Sequence, residues 1–134
     1  MKNLCKVINI GILIFVFSSA NLYAQTLGFN YQAIISNPQP YEIHGEQVDL
    51  NYLADTDIAM RFTILEDLES VYSEEHFTTT TRFGEVNLTI GHGVPIIGSF
   101  RDINWNGTSK QLYIEIDFTA TGSEYEFSNY QELV

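Results

Sequence analysis

Gln111-Leu112-Tyr113-Ile114-Glu115-Ile116-Asp117-Phe118-Thr119 is the stretch on which the fold turns. Leu112, Ile114, Ile116 and Phe118 take alternate positions, with Tyr113, Glu115, Asp117 and Thr119 between them. Successive side chains of a strand point to opposite faces, so this spacing predicts one face on a core and one in water. A helix would scatter the same apolar residues around its circumference. The stretch is therefore a strand of an antiparallel sheet, covered on one side only.

Working outward, the same period recurs. Across Asp57 to Leu65, Ile58, Met60, Phe62 and Ile64 share a face, opposite Arg61 and Thr63. Val86, Leu88 and Ile90 alternate with Glu85, Asn87 and Thr89; Phe29, Tyr31, Ala33 and Ile35 form another stripe. Val48, Leu50 and Tyr52 alternate with Asp49 and Asn51. Two prolines in Asn37-Pro38-Gln39-Pro40 exclude a central strand there. Arg82-Phe83-Gly84 predicts a hairpin joining Thr78–Thr81 to the Glu85 strand, while Gly91-His92-Gly93 ends that strand. Asn104-Trp105-Asn106-Gly107 marks a turn before Gln111. No long 3.6-residue stripe occurs, and Phe100 to Trp105 has room for one helical turn. Six or seven short strands with frequent turns predict an all-β, antiparallel β-sandwich.

The N-terminus reads differently. Lys2 and Lys6 precede an apolar run from Val7 to Phe17, then small residues and a Tyr23-Ala24-Gln25 junction. That is the pattern of a cleaved signal peptide over residues 1–24. The run falls short of the roughly 20 residues needed to span a bilayer, so no membrane insertion is expected after cleavage. The only cysteine, Cys5, would leave with it. Residues 25–134 would then form a single disulfide-free domain, secreted or at the cell surface, held by core packing.

Charge narrows the partners. The chain of 134 residues has 6 Lys+Arg against 17 Asp+Glu, a net charge of −11. Losing Lys2 and Lys6 leaves four basic residues against those 17, a net −13. Nucleic-acid backbones and anionic lipid surfaces both require the opposite sign.

The order of segments resembles an N-terminal module of exported proteins from Bacteroidetes-type bacteria. Gly28-Phe29-Asn30-Tyr31-Gln32-Ala33 resembles its opening, and Arg61-Phe62-Thr63-Ile64-Leu65 its second clear strand. Val71-Tyr72-Ser73-Glu74-Glu75-His76 is similar to its VYSETH segment, and Asn87-Leu88-Thr89-Ile90-Gly91 to its NLTIG hairpin. Gly98-Ser99-Phe100, Ile103-Asn104-Trp105 and Leu112-Tyr113-Ile114-Glu115-Ile116-Asp117 resemble its closing stretch. The resemblance implies an immunoglobulin-like or prealbumin-like sandwich without catalytic activity, often ahead of collagen-like or tail-fibre-like regions. Residues 37–54 are longer than the module's connection there, predicting an extra strand or protruding loop. The module's pattern also runs on beyond Val134, so the chain is expected to be the N-terminal part of a larger fibre-like surface protein.

Chemistry-bearing residues are few. His44, His76 and His92 lack the spacing of a zinc site, and neither a nucleophile elbow nor a phosphate loop occurs. Glu74 and His76 would share the solvated face of a strand, with Glu75 on the other, and no catalytic residue is assigned. Asp49, Asn51, Asp55 and Asp57 are calcium candidates by their oxygen ligands, although the spacing fits no EF-hand loop. Tyr113, Tyr125 and Tyr130 are candidates for stacking on a sugar, while Trp105 is assigned to the core. The residues together predict a non-enzymatic exported module for adhesion or assembly, with a surface protein, a glycan or further copies of itself as partner. The alternative is a carbohydrate-binding accessory domain.

Overall fold

The computed structural model describes residues 27–39 and 51–133. The signal-peptide assignment, His44, the Val48–Leu50 part of the fifth stripe and the calcium candidate Asp49 lie outside those residues. Among the described residues seven strands run β1 (Phe29–Ile34), β2 (Asp57–Glu66), β3 (Glu69–Thr79), β4 (Glu85–Ile90), β5 (Val94–Ile97), β6 (Lys110–Asp117) and β7 (Phe127–Leu133), with one 3-10 turn at Phe100–Asp102. They form two antiparallel sheets packed face to face, one of order β1-β4 and one of order β5-β3-β2-β6-β7. The protein is a β-sandwich.

Strand β2 lies at the centre of the larger sheet, between β3 and β6. Its stripe of Ile58, Met60, Phe62 and Ile64 is 0% exposed throughout. Directly opposite on β6 stand Ile116, Ile114 and Leu112, and across the sandwich the Phe62 ring meets Tyr31 edge-on at 4.9 Å. Ile35, Tyr72, Val86, Ile90, Phe100 and Ile103 complete the cluster. The register read from Leu112, Ile114 and Ile116 holds, whereas Phe118 follows the end of β6 and is half-buried.

Three local expectations fail, each because a neighbouring segment changes what a residue meets. Thr78–Thr81 and the Glu85 strand do not form a hairpin: β3 lies in the larger sheet, while β4 pairs with β1 in the smaller one. The bonds from the Gly84 amide to the Thr81 carbonyl and from the Thr81 amide to the Glu85 carbonyl still make a tight turn, but its strands diverge between layers. Asp117 is 0% exposed rather than solvated, because residues 119–124 fold over its face of the sheet and bind its carboxylate. Glu74 is likewise 0% exposed, since its strand face points at the smaller sheet and the β4–β5 turn.

The hairpin that does form joins β2 to β3 through Asp67 and Leu68, both with positive φ (50° and 71°). Two left-handed residues match the strand twist of a tight hairpin, a role usually given to Asn-Gly. Leucine is strained in that conformation, by about 1–2 kcal/mol, and it stands 82% exposed.

Candidate functional site

Glu74 is the polar centre of the interior. The Tyr72 hydroxyl and the Gly93 amide donate to its Oε2 at 2.7 and 2.8 Å. Its Oε1 accepts from the Gly91 amide at 2.8 Å and lies 2.9 Å from His76 Nε2. Burial pushes the Glu74 carboxyl up, but these bonds outweigh it and hold the group below the usual carboxylate range. Burial and the adjacent Glu74 push the Tyr72 hydroxyl upward. A carboxylate offers about four lone-pair sites, and here all are engaged. The arrangement clamps the β4–β5 turn to β3. Gly93 permits this approach, because a Cβ there would come within 2.6 Å of His76 Nε2.

The outer face of the five-stranded sheet is different in kind. Arg61 on β2 stands opposite Glu115 on β6 and Glu75 on β3. Its Nε and Nη2 donate to the two Glu115 oxygens at 2.6 and 2.7 Å, a bidentate pair. The Tyr125 ring covers the guanidinium at 4.1 Å, and its hydroxyl donates to Glu75. Burial and the Glu75 bond push that hydroxyl upward. Next to this network the Tyr113 and Tyr130 rings stack at 4.5 Å with an angle of 28° between their planes. Thr63 and Ser73 hydroxyls, 3.0 Å apart, share a hydrogen bond in the floor between β2 and β3.

These residues bound a groove of about 480 Å³. Aliphatic side chains of Leu68, Ile96 and Ile97 line it with Tyr113 and Tyr130, around a small polar floor at Thr63, Ser70 and Ser73. Exposure of the apolar wall is high: Leu68 82%, Tyr130 61%, Ile96 52% and Ile97 43%. Soluble proteins rarely leave contiguous apolar side chains in water without a partner for them.

The three candidate tyrosines thus reach one face, but not as a flat platform. Tyr125 spends a ring face on Arg61, and Tyr113 and Tyr130 spend theirs on each other. Trp105, assigned to the core from composition, is 46% exposed and only rims it, meeting Phe29 and Phe100 at 6.3 and 5.6 Å. Of the calcium candidates, Asp57 accepts from the Thr79 hydroxyl, Asp55 holds a left-handed turn before β2, and Asn51 gives its carbonyl to the Asn37 amide. Among the described residues no three His, Cys, Asp or Glu side chains converge on a point that could hold a metal. None of their helices is long and apolar enough to cross a membrane. Sequence reasoning missed the aliphatic wall, because β5 is a short run with no alternation to betray it. No protein-family model matches the chain, and no curated protein or solved structure does.

Proposed function

We propose that this chain is a non-catalytic exported module that docks another protein at the cell surface, for adhesion or assembly, through the outer face of its five-stranded sheet. Leu68 carries the reading. A turn residue that is at once left-handed and 82% exposed is unfavourable for backbone strain and for solvation. Asparagine or glycine would relieve both. Strain of this sort is characteristic of contact sites, and Leu68 adjoins the apolar wall of Ile96 and Ile97. The net charge of −11 favours a partner with a basic rim around an apolar centre. The ordered resemblance to exported N-terminal modules supports the same reading, as does the leader-like N-terminus.

Beads coated with the purified chain should retain cells of the organism that makes it. The double variant Leu68→Asp/Ile96→Asp should retain about tenfold fewer, the scale of losing one interface anchor. Equal retention by the variant refutes the docking face. Binding to a glycan array that disappears in Tyr130→Ala would instead establish the carbohydrate-binding alternative, favoured by the exposed ring of Tyr130. Export is tested separately: N-terminal sequencing of secreted material should begin at Gln25, and recovery of intact Met1 would refute cleavage after Ala24.

A further inference from the structure

The two edges of the larger sheet are not treated alike. Strand β5 is four residues long, contains Pro95 and meets β3 with a register shift at Ser73/Glu74. Short length, proline and irregular pairing are the devices that keep an edge from recruiting another strand. Strand β7 has none of them. It runs seven residues, Phe-Ser-Asn-Tyr-Gln-Glu-Leu, without proline, glycine, lysine or arginine. It pairs with β6 along its whole length, and Phe127 to Glu132 are all exposed. Among the described residues nothing pairs with its second edge.

We propose that β7 pairs with β7 of a second copy of this chain, antiparallel about a two-fold axis at Tyr130, joining two five-stranded sheets into one. The side chains select both occupant and register. Two-fold antiparallel pairing sets each residue opposite one on the same sheet face. Centred on Tyr130, that ring meets its own counterpart, Phe127 meets the second copy's Leu133, Asn129 meets Gln131 and Ser128 meets Glu132. The stacked Tyr113–Tyr130 pair then continues across the axis as a four-ring row on the outer face. On the inner face Phe127, 46% exposed in one copy, gains an apolar neighbour. No acidic residue of Phe127–Leu133 faces another in this register.

Neighbouring registers are worse. Centring on Asn129 sets Glu126 against Glu132, centring on Ser128 sets Glu124 against Glu132, and centring on Gln131 takes the Tyr130 rings off the axis and sets each against a Glu132 carboxylate. Like charges directly opposite each other destabilise a ladder. Each copy carries −11, so the pairing strengthens with salt as that repulsion is screened. Tyr130 also lines the docking groove, but Leu68, Ile96 and Ile97 lie away from β7, toward the opposite edge of the sheet, so Leu68→Asp separates the two ideas.

Sedimentation of the purified full chain tests it. At about 200 µM in about 0.5 M NaCl, where screening is effective within a few ångströms, the wild type should sediment as a dimer and dissociate on dilution into low salt. Tyr130→Glu and Tyr130→Lys each place like charges on the axis and should weaken dimerisation by about tenfold or more. Mixed one to one, the two variants should form a heterodimer, which also shows that both are folded. Leu68→Asp should dimerise as the wild type does. A monomeric wild type under these conditions overturns the proposal, as do charged variants that still self-associate. A mixture that stays monomeric overturns the register.

Discussion

Asp117→Asn should destabilise the protein by about 2–3 kcal/mol, a large share of the roughly 5–15 kcal/mol available to a domain of this kind. The carboxylate is fully buried. It accepts from the backbone amides of Thr119, Thr121, Gly122, Ser123 and Glu124 and from the hydroxyls of Thr119 and Thr121. Asparagine keeps the shape but turns an NH2 toward donors, leaving several part-buried N–H and O–H groups without an acceptor. Thr119→Ala removes one side-chain donor and should cost only about 1 kcal/mol. Urea melts of the three proteins measure the difference, and an Asp117→Asn protein within 1 kcal/mol of wild type would show that another group closes the loop.

The same carboxylate sets a pH dependence with a definite sign. Burial pushes Asp117 up, but the bonds from Thr119, Thr121 and Glu124 prevail and hold it far below the usual aspartate range. A group more acidic folded than unfolded stabilises the fold fully above its unfolded pKa, about 3.9. Below that pH the unfolded chain takes up the proton first, so stability falls as pH drops toward the folded value. Glu74, also held low, acts in the same direction from about pH 4.3 downward. Stability should therefore stay level on descending toward pH 5 and decline below about pH 4, with a shallower decline in Asp117→Asn.

Phe62→Ala should cost about 3–5 kcal/mol and lower the urea midpoint by about 2 M or more. Phe62 is 0% exposed on the central strand, and its ring meets Tyr31 of the smaller sheet and His76 of β3 at 4.9 and 5.6 Å. Removing it opens a cavity between the layers, which the rigid ladder of β3, β2 and β6 cannot collapse to fill. Phe62→Leu, which retains most of the volume, should cost about 1.5 kcal/mol or less. Equal effects of the two substitutions would mean that the sheets do not close on this ring.

Alternation made the sandwich and much of its core legible without coordinates. Ile58, Met60, Phe62, Ile64, Leu112, Ile114 and Ile116 all lie where period two puts them, because a strand has no other way to bury one face. The outer face was legible only as a face. Arg61, Glu115, Tyr113 and Tyr130 have the parity to share it, yet the bidentate pair and the stacked rings depend on β2, β6 and β7 being neighbours in a stated register.

Pattern alone determined fold class, strand parity and an acidic surface, since each depends on side chains counted along one strand or summed over the chain. Pairing was decided elsewhere. The turn at Arg82-Phe83-Gly84 looks like a hairpin locally, but β4 crosses to the smaller sheet and pairs with β1, where Val86 and Ile90 are buried in the core between the layers. The β2–β3 hairpin was hidden because Asp67-Leu68 lacks the glycine that normally announces such a turn. Asp117 and Glu74 look like solvated acids at their positions along a strand. Only the folding of residues 119–124 and 91–93 against them supplies the donors that make burying a carboxylate favourable. Those contacts join segments far apart in sequence or turned back by a loop, and no periodicity along the chain encodes them.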